Sequence, residues 1–317
     1  MASYDVLATR VRELTESRFK EFEQQLLRGK AEAERNATFQ KTRIKRRREF
    51  LSSIGTDLKK FEAALVQENR ELEGELKAFL EEYRPKSVSR PSAAADAVRD
   101  AAIRSAVLGE TGHIVLPAFA SSIFTPDRVK GEVAIGPEWN PGAIDSGWVF
   151  QDPPQIIRIK DSYHDISLCW SNRYTPPPVY STYFTFVPAS TATYEMTAVV
   201  AYHGFYVLVS DDSWWNCRYA RVTLTAQMNV HQYVDSGWKD FPPLLNVEKQ
   251  NAQEVDNFDR TFFLDYTAAL RAGDPVVVTV KGTVEGFSDG GNTHAELNFQ
   301  DGTANYIQPL FLSVTHN

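Results

Sequence analysis

Hydrophobic residues in the first part of the chain follow the spacing of an α-helix. From residue 3 to about residue 28, apolar side chains recur every three or four positions and so share one helix face. They are Leu7, Val11, Leu14, Phe22 and Leu26, with Phe19 beside the stripe. A charged helix with one apolar stripe needs a surface to cover that stripe. We therefore expect this segment to join copies of the chain, or to bind a partner helix.

A second run has a heptad pattern. Its apolar residues alternate steps of three and four, provided that Glu68 and Glu75 take two positions in the same seam. The predicted oligomerisation residues are Ile54, Leu58, Phe61, Leu65, Leu72 and Phe79. Acidic residues in a seam weaken a two-stranded zipper. A helical hairpin or a looser bundle therefore stays open beside a coiled coil, and a trimer is one candidate form of the oligomer.

The two runs are separated by residues that favour a helix break. Residues 52–57 contain Gly55 and several cap-forming side chains, including Asp57. A break here predicts a helical hairpin, whereas a continuous helix would be a rod about 120 Å long. Pro85 should end the helical part. Residues 85–112 are then interpreted as a linker that contains one short helix over residues 93–108.

After about residue 113 the pattern changes to alternation, which is typical of β-strands with one buried face. Four valines at residues 276–284 alternate with polar residues, and an alternating segment returns over residues 293–299. The turn residues at 288–292 predict a β-hairpin between these segments. A second hairpin is predicted between residues 197–209 and 214–224.

Further strands are predicted at irregular spacing along the second part of the chain. They are residues 156–159, 165–170, 183–187, 228–234, 261–266 and 306–314, with Pro309 marking an edge or a bulge in the last one. About ten short strands with long connections favour an antiparallel β-sandwich of Greek-key or jelly-roll type. The predicted fold class is thus α plus all-β, with a helical segment at 1–84, the linker at 85–112 and the sandwich at 113–317.

Composition and charge change at the same place. The first 108 residues contain no Trp, two Pro and three Gly, while the rest contains six Trp and fourteen each of Pro and Gly. The first 108 residues carry 22 basic and 18 acidic side chains, and the remainder carries 12 and 23. This asymmetry allows the helical segment of one copy to attract the β domain of another, or to attract a polyanion.

One basic cluster is a candidate anion contact. It consists of Lys41, Arg43, Lys45, Arg46, Arg47 and Arg48. A compact basic cluster attracts phosphates, but it is also typical of a solvated helix face with nearby glutamates. We favour the solvated face, and nucleic acid is not an expected partner.

The start of the chain lacks the basic and apolar regions of a signal peptide, and no stretch is apolar enough to span a bilayer. We expect synthesis in the cytoplasm, with action in a released particle or outside the cell left open. Cys169 and Cys217 are too few for a disulfide scaffold, and whether they pair stays open.

Catalytic signals are weak. His294 and Glu296 share one face of a predicted strand near Asp289, and His164 precedes Asp165. Such groups could bind a metal or perform acid–base chemistry, but a solvated hairpin face explains them as well. We therefore predict no catalytic residues, no metal site, no cofactor and no enzymatic activity.

Aromatic residues are the stronger candidates for binding. Trp214, Trp215 and Tyr219 alternate with Arg218 and Arg221. Flat rings beside guanidinium groups suit the faces of sugars or a protein receptor. Because neighbouring strand residues point to opposite faces, one of the two tryptophans is expected in the core.

These patterns favour a non-enzymatic, homo-oligomeric binding protein. The helices would assemble or anchor it, and the sandwich would display a recognition surface, as in an attachment, particle-accessory or adhesin-like component. Trimeric stalk-and-head proteins share this order of elements, which is an analogy of architecture only. Two alternatives stay open: a membrane-acting or host-directed toxin with a receptor-binding β domain, and a hydrolase that uses His294, Glu296 and Asp289.

Overall fold

The computed structural model describes residues 4–83, 112–117, 121–124, 142–152, 154–165, 176–210, 219–233, 235–291 and 293–316. Within these ranges the chain forms two helices followed by fourteen strands. They are α1 (Tyr4–Ser53), α2 (Leu58–Tyr83), β1 (Gly112–Pro117), β2 (Ser121–Phe124), β3 (Ala143–Ile144), β4 (Gly147–Asp152), β5 (Lys160–Asp165), β6 (Val179–Pro188), β7 (Ala192–Ser210), β8 (Tyr219–His231), β9 (Asp235–Asp240), β10 (Leu245–Lys249), β11 (Ala252–Leu270), β12 (Val276–Asp289), β13 (Thr293–Asn298) and β14 (Tyr306–His316).

The strands form two sheets of seven strands each. Sheet I has the order β1-β4-β14-β7-β13-β5, with β11 also paired to β7. Sheet II has the order β10-β8-β12-β6-β2, with β9 paired to β8 and β3 paired to β6. The pairs are antiparallel except β1–β4 and β3–β6. The predicted class, a mostly antiparallel β-sandwich after a pair of helices, is therefore confirmed.

The core lies between the two sheets. In β12 the even-numbered residues from Val276 to Val284 are buried, whereas Lys281, Thr283 and Glu285 are only partly buried on the outer face. Across the core, the hydroxyl of Tyr180 in β6 meets that of Tyr202 in β7. Burial raises the pKa of both phenols above the usual value. This hydrogen bond joins the two sheets.

The two predicted hairpins are wrong in their pairing. β12 lies in sheet II and β13 lies in sheet I, so the turn between them crosses the sandwich. Gly290 adopts the expected positive φ of 97°, but the turn joins two layers. β7 and β8 also lie in different sheets, and residues 211–218 between them are outside the described residues. The β13 residues are buried throughout, as expected for a strand covered on both faces.

Other strand predictions had mixed outcomes. The segments 183–187 and 261–266 lie inside β6 and β11, and 228–234 overlaps the end of β8. β14 contains a register shift between Pro309 and Phe311, which is the predicted bulge. Residues 156–159 form no strand; only Ile157 makes an isolated bridge, to Ile307. Residues 166–170 and the predicted helix over 93–108 are outside the described residues.

The predicted helix break is confirmed. α1 ends at Ser53, and Gly55 has a φ of +88°, a conformation that favours glycine. The Asp57 carboxylate accepts hydrogen bonds from the backbone N–H groups of Lys59 and Lys60 at 3.1 and 3.2 Å. Asp57 is thus the N-cap of α2.

The first half of α1 packs against the outer face of sheet II. Val11, Leu14 and Leu26 are buried and belong to the main core cluster. The rings of Phe19 and of Phe124 in β2 lie 5.2 Å apart between centroids. The expectation that this stripe requires another chain is therefore wrong for its described residues, because the sandwich of the same chain covers Val11, Leu14 and Leu26.

α2 reaches the opposite side of the sandwich. Phe79 packs against Phe205, Val207 and Val209 on the outer face of sheet I. α1 and α2 make little contact with each other. The first half of α1 and the end of α2 therefore contact opposite outer faces of the sandwich. No helix in the described part of the chain is long and apolar enough to cross a membrane.

Candidate binding surface

A joint between the sheets positions the best candidate surface. β6 pairs with β12 only as far as Thr283, and β5 of sheet I lies along the remainder of that edge. The N–H of Gly286 donates to Asp161 Oδ2 at 2.8 Å, and the N–H of Gly290 donates to Asp165 Oδ2 at 3.2 Å. Carboxylates thus satisfy backbone donors that a neighbouring strand would otherwise take.

Three aromatic rings meet at this joint. Tyr163 of β5 stacks on Phe287 of β12, with centroids 6.3 Å apart and an interplanar angle of 8°. Tyr219, at the start of β8, lies 5.7 Å from Phe287 at 41°. All three residues are partly exposed. We call Tyr163, Tyr219 and Phe287 the aromatic platform.

Charged side chains surround the platform. The guanidinium of Arg221 lies 5.4 Å from the centroid of the Phe287 ring and 3.5 Å from a carboxylate oxygen of Glu285. Glu248 of β10 is opposite Arg221 in the strand register. The platform thus combines ring faces with donors and acceptors at its margin, which is the usual composition of a recognition site.

Asp289 ends the same outer face, opposite Tyr219 in the register. Burial, and then the nearby charge of Asp165, raise the pKa of the Asp289 carboxyl to about 6. Burial also raises the pKa of Tyr219, and Asp289 adds to this effect. The charge beside the platform therefore changes just below neutral pH.

The structure brings together part of the predicted aromatic surface. Tyr219 and Arg221 both lie at the platform, while Trp214, Trp215 and Arg218 are outside the described residues. Sequence reasoning missed Phe287 and Tyr163. Phe287 could have been found from the sequence, because it is an aromatic residue among the outward-facing residues of β12, with Lys281, Thr283 and Glu285.

The predicted acid–base residues separate into two places. His294 faces His164 across the β13–β5 register, with ring centroids 6.1 Å apart, and lies 3.5 Å from Glu296. Asp289 is in the other sheet, beside Asp165, which alternation places on the opposite face of β5 from His164.

The expectation of a solvated face for His294 and Glu296 is wrong, since they are only 6% and 4% exposed. Glu296 accepts a hydrogen bond from the Asn298 amide at 2.5 Å, as a structural buried network would. Among the described residues, no group of three or more side chains could hold a metal ion.

The predicted oligomerisation residues have different environments. Ile54 is exposed at the turn, whereas Leu58 and Phe61 are partly buried. Phe79 contacts the sandwich of its own chain. The side chains of Leu65 and Leu72 are outside the described part of the structure.

The predicted anion-contact residues occupy two sides of α1. Lys41, Lys45 and Arg48 line a shallow depression near the turn, which also includes Leu58 of α2. Arg43 and Arg46 are exposed as well, and helical spacing places them on the same face as Phe39 and Phe50. The side chain of Arg47 is outside the described part.

A small cavity lies where α1 meets sheet II. Its volume is about 210 Å³, and it is lined mostly by apolar side chains together with Gln25 and Lys281. The ammonium of Lys281 lies 4.7 Å from the Trp238 ring centroid and 3.4 Å from Gln25 Oε1. Burial lowers the pKa of Lys281. These contacts belong to the seat of α1 on the sandwich.

Neither a family model nor a curated protein matches this sequence. Among solved structures, the chain is similar to the Eiger TNF of S. frugiperda at 14% identity and a TM-score of 0.19, over 43% of this chain and 64% of that one. It is similar to murine APRIL at 10% identity and a TM-score of 0.17, over 45% of this chain and 94% of that one. It is similar to TmCBM61, solved in complex with beta-1,4-galactotriose, at 10% identity and a TM-score of 0.17, over 55% of this chain and 83% of that one. Similarities this low carry no argument about function.

Proposed function

We propose that this protein is a non-enzymatic binding protein of attachment or particle-accessory type. Its sandwich recognises a glycan through the aromatic platform, and its helices assemble copies of the chain. The observation that carries this proposal is the meeting of Tyr163, Tyr219 and Phe287 beside Arg221 on one partly exposed face.

The chemistry of the platform favours a sugar. The C–H face of a pyranose ring packs on an aromatic ring, and its hydroxyls need donors and acceptors at the ring margin. Arg221 supplies donors, while Glu285, Glu248 and Asp289 supply acceptors. The rings come from strands of both sheets, and the carboxylates of Asp161 and Asp165 fix the distance between those strands. These hydrogen bonds hold the strands together before any ligand binds, which favours a low entropic cost of binding.

Assembly through the helices is the second part of the proposal. Phe39, Phe50 and Ile54 are 62%, 61% and 62% exposed near the turn, far from the contacts of α1 with the sandwich. Several large apolar side chains exposed on one projecting element are typical of an interaction surface.

A glycan array probed with the full chain tests the recognition part. The informative variants are Phe287→Ala and Tyr163→Ala, and the matched control is Phe263→Ala, an exposed aromatic residue on β11. For any glycan that the native chain binds, we expect a loss of affinity of about tenfold or more in the platform variants. The control should bind like the native chain.

Two results would contradict this part of the proposal. One is the absence of any bound glycan across a broad array. The other is glycan binding that the Phe287→Ala and Tyr163→Ala variants retain in full while circular dichroism shows them folded.

A further inference from the structure

The second half of α1 presents an apolar stripe that contains arginines. Phe39, Arg43, Arg46, Phe50 and Ile54 follow one another at steps of four, three, four and four, which places them on one helix face over about 22 Å. All five residues are exposed. Arg43 and Arg46 have no hydrogen-bond or ion-pair partner among the described residues. We call these five residues the arginine stripe.

The heptad seam of α2 has the opposite charge. Between Phe61 and Phe79 the seam positions are apolar except for residues 68 and 75, which are both Glu and lie about 10 Å apart along the helix. Residues 39–54 contain six basic side chains and one acidic one, whereas α2 contains four basic and seven acidic ones. The stripe and the seam are therefore complementary in both charge and apolar content.

The arginine stripe is exposed in the single chain, so α2 of the same chain does not cover it. α1 and α2 make little contact with each other, and their described contacts with the sandwich lie on different outer faces. Phe79 packs on sheet I, so the part of the heptad pattern that we assign to a second copy is residues 58–75, about 26 Å of helix. That length matches the arginine stripe.

From this match we propose that the arginine stripe of one copy packs on the α2 seam of a second copy. Arg43 and Arg46 of each copy pair with Glu68 and Glu75 of the other. The contact is reciprocal about a two-fold axis. The α1 and α2 helices of both copies therefore form a four-helix arrangement near the two α1–α2 turns. This inference rests on the proposed assembly of copies through the helices, and it names the faces involved.

Other occupants fit the stripe less well. Two arginine stripes facing each other would bring like charges together. A polynucleotide would pair with the arginines but would not bury Ile54 and the two phenylalanines. On the described sandwich, the exposed large apolar residues are single ones, Ile156, Tyr233 and Phe263, so no apolar surface there receives the stripe.

Two charge reversals in the full chain test the proposal by light scattering and analytical ultracentrifugation. Variant one carries Arg43→Glu and Arg46→Glu, and variant two carries Glu68→Arg and Glu75→Arg. Each alone places like charges at both interfaces, so we expect the dissociation constant of the dimer to rise about tenfold or more. Mixed in equal amounts, the two variants restore opposite charges at both interfaces and should form a heterodimer.

The control is a chain with Arg12→Glu and Lys20→Glu. It makes the same change in net charge as variant one, but on the exposed side of the first half of α1. It should dimerise like the native chain. Heterodimers in the mixture also show that both variants are folded.

The outcomes separate this inference from the proposed function. A native chain that is monomeric at micromolar concentration overturns this inference and the proposed assembly, while leaving glycan binding in place. A native oligomer that both reversals leave intact overturns this inference alone. Reversals that weaken the oligomer without recovery in the mixture also overturn it, as does loss of binding to anionic vesicles or duplex DNA with no change in oligomeric state.

Discussion

The guanidinium of Arg221 lies 5.4 Å from the centroid of the Phe287 ring, across the β8–β12 register. This contact holds a cation against an aromatic face at the margin of the platform, where a ligand hydroxyl could also reach it. Under the proposed function this pair contacts the ligand, and its energetic effect on folding should be small.

Replacing Arg221 by Gln tests that distinction. The side chains of Arg221 and Glu285 are 34% and 26% exposed and their charged atoms are 3.5 Å apart, so water screens much of their attraction. We expect the free energy of unfolding to change by less than about 1 kcal/mol, while affinity for any glycan that the native chain binds falls several-fold. Chemical denaturation and a ligand titration measure the two effects. A large loss of stability with unchanged affinity would assign the arginine a structural role.

Because α1 packs on the sandwich of its own chain, we expect Leu14→Ala to lower the free energy of unfolding clearly. Leu14 is buried in the core cluster, and truncation of a buried leucine costs about 2 to 3 kcal/mol. Leu27 is 54% exposed on the same helix, so Leu27→Ala should cost less than about 0.5 kcal/mol. Equal effects in urea denaturation of the full chain would mean that α1 is not seated on the sandwich.

Two glycine substitutions should change stability in opposite directions. A Cβ on Gly204 would lie 2.5 Å from the carbonyl oxygen of Asn298 and 2.5 Å from the Phe299 ring, so Gly204→Ala should destabilise the sandwich by about 3 kcal/mol. A Cβ on Gly74 in α2 would meet nothing within 4 Å. Gly74→Ala should therefore stabilise the chain by about 0.5 to 1 kcal/mol. Thermal unfolding of the two variants measures both stability changes. A Gly204→Ala chain as stable as the native one would show that β7 does not approach β13 this closely.

The contribution of Asp289 to the free energy of unfolding should fall as the pH rises from about 4 to about 6. Its pKa is raised to about 6 in the folded chain and is near 4 when unfolded, so in this window the folded state binds the extra proton. Above pH 6 the folded chain carries a disfavoured charge. Asp289→Asn removes that charge and should raise the free energy of unfolding at pH 7.5 by about 1 kcal/mol, after allowance for screening by water.

At pH 4 the variant and the native chain should be equally stable, because both side chains are then neutral in the folded state. Denaturation curves at the two pH values make the comparison. A variant that is less stable at pH 7.5 would show that the Asp289 carboxylate is favoured by the fold.

Local signals predicted α1, α2 and the strands β6–β8 and β11–β14, but not β1–β4, β9 or β10. Gly55 and Asp57 carry the break between α1 and α2, because a positive φ and an N-cap are properties of single residues. Alternation in β12 gave its inner and outer faces, and Phe287 stands out among the polar residues of the outer face.

Long-range pairing was beyond such signals. The turn at Gly290 looks the same in sequence whether it joins two strands of one sheet or crosses to the other, so the predicted hairpin failed. The link from Asp161 and Asp165 to the edge of β12 joins positions about 125 residues apart. Nothing local indicates that Tyr163 should meet Phe287. In the same way, the stripe around Val11 shows that a partner surface is needed but not that the surface belongs to the same chain.

The proposed function requires the ligand to bind on the aromatic platform. NMR spectra of the full chain with ring-labelled tyrosine and phenylalanine, recorded during titration with a glycan taken from the array, test it most directly. We expect the ring signals of Tyr163, Tyr219 and Phe287 to move together with one dissociation constant, while that of Phe263 stays in place. Saturable binding that leaves the three platform signals unmoved would contradict it.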